Sequence, residues 1–157
     1  MIKLKWSEKS LAQVMANCQK LKLDSKSGAK RALREVATNI MAQSRSECPI
    51  DTGTLVSTSY IENPIDEGNR VSIKMGYASL ATNKMNPEPD WTGKMRMASE
   101  YALTVHETPG TPPGGGAYHP YGKWKFLEDP VTAHRLAFIQ TLGRELRTSL
   151  SRGVTVR

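Results

Sequence analysis

The chain has 157 residues with a net charge of +7 and a pI near 9.5, and no apolar run approaches the roughly 18 residues a membrane span needs. An apolar fraction of 38% with only 6% aromatics suits one domain, residues 1–157, whose core is helix on sheet rather than a thick sandwich. Residues 1–48 carry ten Lys/Arg against four Asp/Glu, residues 49–122 five against eight, and residues 123–157 seven against three, so basic ends flank an acidic middle. That layout favours polyanionic surroundings, although a solvated surface reads the same.

Met1 to Trp6 lacks the apolar core of a signal peptide, which points to a soluble protein made in the cytoplasm. Ile2 to Trp6 alternates like a short strand. Ser7 reads as an N-cap for a helix whose buried stripe is Leu11, Val14, Met15, Cys18 and Leu21. Asp24 to Gly28 breaks or bends that helix. A second helical stretch runs from about Ala29 to Glu47, leaving two helices or one long bent one. Cys18 and Cys48 sit on these helices without CxxC spacing and read as buried free thiols.

The hydrophobic period changes at Cys48-Pro49-Ile50-Asp51-Thr52-Gly53-Thr54-Leu55. Pro49 pushes the preceding residue out of the helical region. Asp51 and Thr52 can bond their own backbone, and Gly53 can take a positive φ, so these three form a structural hinge. Beyond it, Leu55–Ile61 and Arg70–Tyr77 alternate as the strands of a β-hairpin, joined by a polar loop over 63–69. Residues 78–98 read as a long loop, a feature that is often ordered by a partner. Tyr101 to Glu107 reads as a third strand, or as a short helical turn leading into one. Residues 108–122 form a second long loop rich in Gly and Pro. Lys123 to Leu127 alternates. Asp129 and Pro130 then read as the cap and first position of a final helix with a buried stripe of Val131, Leu136, Ile139, Leu142, Leu146 and Leu150. The fold class is α+β: N-terminal helix or helices and a C-terminal helix on a small antiparallel sheet, with two long loops.

No residue pattern points to catalysis or to a cofactor. The glycines at 114–116 lack the Lys and Ser/Thr of a phosphate-binding loop, and no serine sits in a GxSxG elbow. His106 and Glu107 beside Asp51 would make a metal or acid–base site only if the fold gathered them, and a strand-end histidine beside a surface carboxylate is the plainer reading. Trp124, Phe126, Leu127 and Pro130 read as a lock that closes the core under the last helix. Trp91 and Tyr118, large aromatics on loops, read as contacts with another chain.

Four stretches together resemble the neck and tail-completion proteins of tailed bacteriophages, also described as minor capsid or head–tail joining proteins. They are Cys48 to Leu55, Val71 to Tyr77, Tyr101 to Glu107, and Lys125 to Val131. The first resembles a P-x-D-T-G-x-L turn and the last an F-L-x-P-A helix entry, in the family's order, over residues 29–150. His106 interrupts the family's V-E pair, and the loop at 78–98 is longer than the bare fold needs.

The resemblance implies a structural virion protein of the phage neck, without catalysis and without a cofactor, assembled in the host cytoplasm. It implies a homo-oligomeric ring, commonly of six subunits, between the head connector or head-closure ring and the tail-terminator ring, with DNA passing through and no membrane contact. Unlike surfaces suit such head-to-tail interfaces. The acidic residues Asp66, Glu67, Glu88 and Asp90 are expected to face a neighbour's basic helices or the channel. A second reading is a nucleic-acid-binding protein that holds phosphates with Lys30, Arg31, Arg34, Arg144 and Arg147. A third is a small hydrolase built on His106 and Glu107.

Overall fold

The computed structural model describes residues 8–50, 53–79, 85, 93–109 and 122–153, with side chains from residue 12 to residue 151. Its backbone is α1, a single 40-residue helix, Glu8–Glu47. The stretch Asp24 to Gly28 does not break it. Gly28 is instead the point where α5 (Arg135–Gly153) lies against α1. A Cβ at Gly28 would stand 2.6 Å from Ser149 Oγ and 3.1 Å from the Glu145 carbonyl oxygen. A mid-helix glycine costs about 1 kcal/mol relative to alanine. Here its missing side chain permits close helix packing.

The two helices run antiparallel. Arg31 Nε meets Glu145 at 2.8 Å, Arg144 Nη2 meets Glu35 at 2.7 Å, and His134 Nε2 lies 3.0 Å from Gln43 Oε1. The final helix is bent in two. α4 (Glu128–Ala133) leads through His134 into α5, and the backbone bonds from His134 N to Pro130 O and from Phe138 N to His134 O carry across the bend. Its cap is Leu127, two residues earlier than Asp129. Pro130 therefore falls at the third helical position, where its absent N–H is still not needed.

The first expected strand is half helix. Gly53, at φ 77°, opens α2 (Thr54–Ser57). Ser57 Oγ donates to Thr54 O at 2.8 Å and Thr58 Oγ1 to Leu55 O at 2.6 Å, so local hydroxyls satisfy the carbonyls of this turn. The hairpin follows, with shorter strands than the alternation predicts. β1 (Tyr60–Ile61) pairs antiparallel with β4 (Met75–Gly76), and β2 (Ile65–Asp66) with β3 (Val71–Ser72). Tyr60 faces Gly76 while Ile65 faces Ser72, so residues 62–64 oppose 73–74. The extra residue is a bulge, and Pro64 lies within it.

Tyr101 to Glu107 is helical throughout, as part of α3 (Ala98–Glu107). Tyr101, Ala102 and Val105 repeat at helical spacing and pack on the core, a period that the short apolar run concealed. Most of the two long loops, 80–84 with 86–92 and 110–121, lies outside the described residues. Met85 and Met97 form an antiparallel bridge within the first. The chain is α+β, arranged around α1, with the hairpin packed on it and α4–α5 running back along it. No helix among the described residues is long and apolar enough to cross a membrane.

Candidate functional site

The junction at the end of α1 is a packed structural joint. Asp51 and Thr52 lie outside the described residues, and Gly53 holds the left-handed backbone expected of it. Cys48, Leu55 and Phe126 form the core, with Val56, Tyr77, Tyr101, Ala102, Val105 and Leu127 around them. The Phe126 ring stands edge-on to Tyr77 at 5.2 Å and to His106 at 5.0 Å. Lys123 bonds Glu47 and Asp129, each at 3.0 Å, which ties the end of α1 to the start of α4. Burial pushes the Cys48 thiol and the Tyr77 phenol each up to about 12, so neither ionises near neutral pH.

Of the four lock residues, Phe126 and Pro130 are fully buried and Leu127 packs against the core. Trp124 does not join them. It is 40% exposed, with Lys125 Nζ 5.3 Å from its ring centre. The positive φ of Lys125, 53°, breaks the alternation that would have put Trp124 and Phe126 on one face.

His106 is a strut. Its Nδ1 lies 2.7 Å from Glu107 Oε1, and its Nε2 accepts a long bond, 3.4 Å, from the Glu128 amide at the start of α4. Both ring nitrogens are thus engaged, one by the neighbouring carboxylate and one by the start of α4. Asp51 cannot be placed beside it, since it falls outside the described residues. Among the described residues no three His, Cys, Asp or Glu side chains converge as metal ligands.

The basic residues are partly engaged by their own chain. Arg31 bonds Glu145, Ser27 and Ser149; Arg144 bonds Glu35; Lys30 lies 3.8 Å from Asp66; and Arg34 bonds Asn63. Arg147 is exposed on α5. Lys30, Arg31 and Arg34 line a shallow hollow of about 480 Å³, together with Glu35, Asn63 and Pro64.

The larger departure concerns apolar surface. Every side chain from Ala12 to Lys20 is exposed, including Val14, Met15 and Cys18, which the helical stripe placed inside. The antiparallel pairing explains it. Gly28 meets Ser149 and α5 ends one turn later at Gly153, so the first part of α1 runs on with no described element alongside. The final helix departs in the same way: Val131, Leu136, Ile139 and Leu150 are 42%, 72%, 58% and 41% exposed. It meets α1 instead through His134, Glu145 and Ser149. An apolar groove of about 350 Å³ also opens between α1, the hairpin and α4–α5, lined by Val36, Ile40, Ile73, Met75, Val131 and Phe138 among others.

Comparison with known families, curated proteins and solved structures returns no match. The geometry of the chain itself therefore carries the functional reading.

Of the six expected partner contacts, Trp91, Tyr118, Glu88 and Asp90 lie outside the described residues. Glu67 is exposed at the hairpin turn. Asp66 is held within its own chain by Lys26 at 3.0 Å and by Lys30. The exposed stripes of α1 and α5 are not distinguishable in the sequence from buried ones, because an apolar helical face does not say which chain covers it. The available signal was length: α5, at 19 residues, cannot cover a helix of 40.

Proposed function

We propose that this chain is a structural protein of the neck of a tailed bacteriophage. It forms a ring, commonly of six subunits, that joins the head connector to the tail and lets DNA pass. It acts by assembly and carries out no reaction. The observation that carries the reading is the pair of exposed apolar helix faces, on the first part of α1 and on the outward side of α5. Large contiguous apolar surface on a chain of this size marks contact with other subunits. Two unlike faces on one subunit suit a head-to-tail ring. Gly53, left-handed between the end of the long helix and α2, is consistent with the family resemblance.

Solution mass tests it, with the chain alone and mixed with purified connector rings from tailed phages. A ring-sized particle in either condition is expected. A single copy in both would overturn the reading.

The hollow lined by Lys30, Arg31 and Arg34 favours a second reading, phosphate contact with nucleic acid. Affinity for duplex DNA that falls steeply with added salt would support it. Carboxylates already bonded to Arg31 and Arg144 weaken it.

A further inference from the structure

We propose that the first part of α1 in one copy packs along the outward face of α5 in a second copy, closing a short helical seam between them. This deepens the ring reading and rests on it for its repetition around a circle.

The two faces match in spacing. On α1, Val14, Cys18 and Leu21 follow intervals of four and three residues. On α5, Leu136, Ile139, Gly143, Leu146 and Leu150 follow three, four, three and four. This alternation is the seam of a two-helix coiled coil, where each side chain enters a hole on the facing helix. At Gly143 nothing of the same chain lies within 4 Å of where a Cβ would stand, so the helix backbone is open there to close approach by a neighbour.

They match in charge as well. Ser10 to Gln19 has no charged residue, and neither has Leu136 to Gly143, in a chain that is 24% charged. Depletion of charge is the mark of an interface centre. The α1 stripe is moreover the continuation of the face that α5 of the same chain covers at Gly28 and Ala32. An α5 from a neighbour would thus lie in line with the chain's own α5 along one face of α1, presenting its outward side where the chain's own helix presents Glu145 and Ser149.

The segment Glu8–Leu23 rises about 24 Å, long enough for two heptads. Each subunit would make the contact twice, once with each face. The joint is heterologous and can propagate around a ring.

The test uses the full chain with Ile139→Cys beside the native Cys18. Within one chain Ile139 lies between the Arg144–Glu35 and His134–Gln43 contacts, at least about 25 Å along α1 from Cys18, far beyond disulfide reach. Cys48 is buried and does not compete. Mild oxidation should give a ladder of covalent multimers, each bond mapping to Cys18 of one copy and the introduced thiol of the next. Val14→Glu should abolish the ladder and lower the solution mass while leaving helical circular dichroism unchanged, because Val14 is exposed.

Dominant Cys18–Cys18 dimers would overturn the seam in favour of two α1 segments pairing. A multimer that survives both Val14→Glu and Ile139→Glu, with no ladder, would overturn the seam and leave the ring. A chain that stays single and gives no ladder would overturn the seam, and mixing with connector rings would then decide the ring separately. Capture of a different protein by α5, competing with the ladder, would overturn it too.

Discussion

The backbone of Gly122 lies so close to the peptide before Pro49 that a Cβ on Gly122 would stand 2.6 Å from the Pro49 nitrogen. The Cys48 carbonyl carbon and Glu47 carbonyl oxygen would each be at 2.7 Å, and Lys123 N donates to that same Glu47 oxygen at 2.8 Å. The second long loop therefore ends pressed against the end of α1, where a main chain without a side chain is the only fit. Gly122 also has φ 102°, a region that L side chains rarely adopt. Gly122→Ala should thus cost at least about 2–3 kcal/mol, from backbone strain and overlap together. Urea unfolding measures it, with Gly143→Ala, where space is open, as the comparison.

Phe126 and Trp124 separate core from surface two residues apart. Phe126 is 1% exposed and touches both Tyr77 and His106, so Phe126→Ala should cost about 3–5 kcal/mol. Trp124→Ala should stay within about 1 kcal/mol of the parent. Thermal unfolding of the two variants reads the difference. Equal losses would mean that Trp124 belongs to the lock after all.

These two residues also show where sequence reading stops. Phe126, Leu127 and Pro130 are legible as a core lock because a short apolar run just before a helix has few other places to go. Trp124 is misplaced by the positive φ of Lys125, a non-glycine residue in a region that composition does not signal. Leu55 is recognisable as buried, yet its element is a helical turn, since hydroxyl bonds from Ser57 and Thr58 stabilise what β-branched composition suggests is a strand. Tyr101, Ala102 and Val105 are too few to separate a period of 3.6 from a period of 2. On α1 and α5 the helical period is legible and the burial is not, because periodicity records a face and not what covers it.

Asp66 ties the hairpin turn to α1. A hydrogen bond from Lys26 holds its carboxyl below the ordinary 3.8 against the opposing effect of desolvation, helped by the charges of Lys26 and Lys30 and by the Gly68 amide at 3.1 Å. A carboxylate whose pKa is lowered on folding adds stability above its unfolded pKa, and that stability fades as pH falls through the lowered value. Asp66→Asn should therefore be less stable than the parent above about pH 5, with the gap closing as the solution is acidified past the usual carboxylate range. Paired denaturant titrations across pH check this. A gap that widened towards acid would contradict the assignment.

Gly28 and Ser149 decide whether α5 can lie as close to α1 as described. Alanine at position 28 improves helix propensity by about 1 kcal/mol, which alone would stabilise a 40-residue helix. Against this, the new methyl would sit 2.6 Å from Ser149 Oγ and 3.1 Å from the Glu145 carbonyl, and overpacking of that kind costs about 1–3 kcal/mol. The second effect should win, so Gly28→Ala should lower stability. Ser149→Ala removes the first clashing atom, at the cost of the 3.0 Å bond from Arg31 Nη2, while Arg31 keeps its contacts with Glu145 and Ser27. The double variant should then lose less than the two single losses combined, by roughly 1 kcal/mol, the coupling expected of residues in direct contact. Strict additivity in a double-mutant cycle would mean that the helices are further apart at this point, and that Gly28 serves to bend α1 rather than to seat α5.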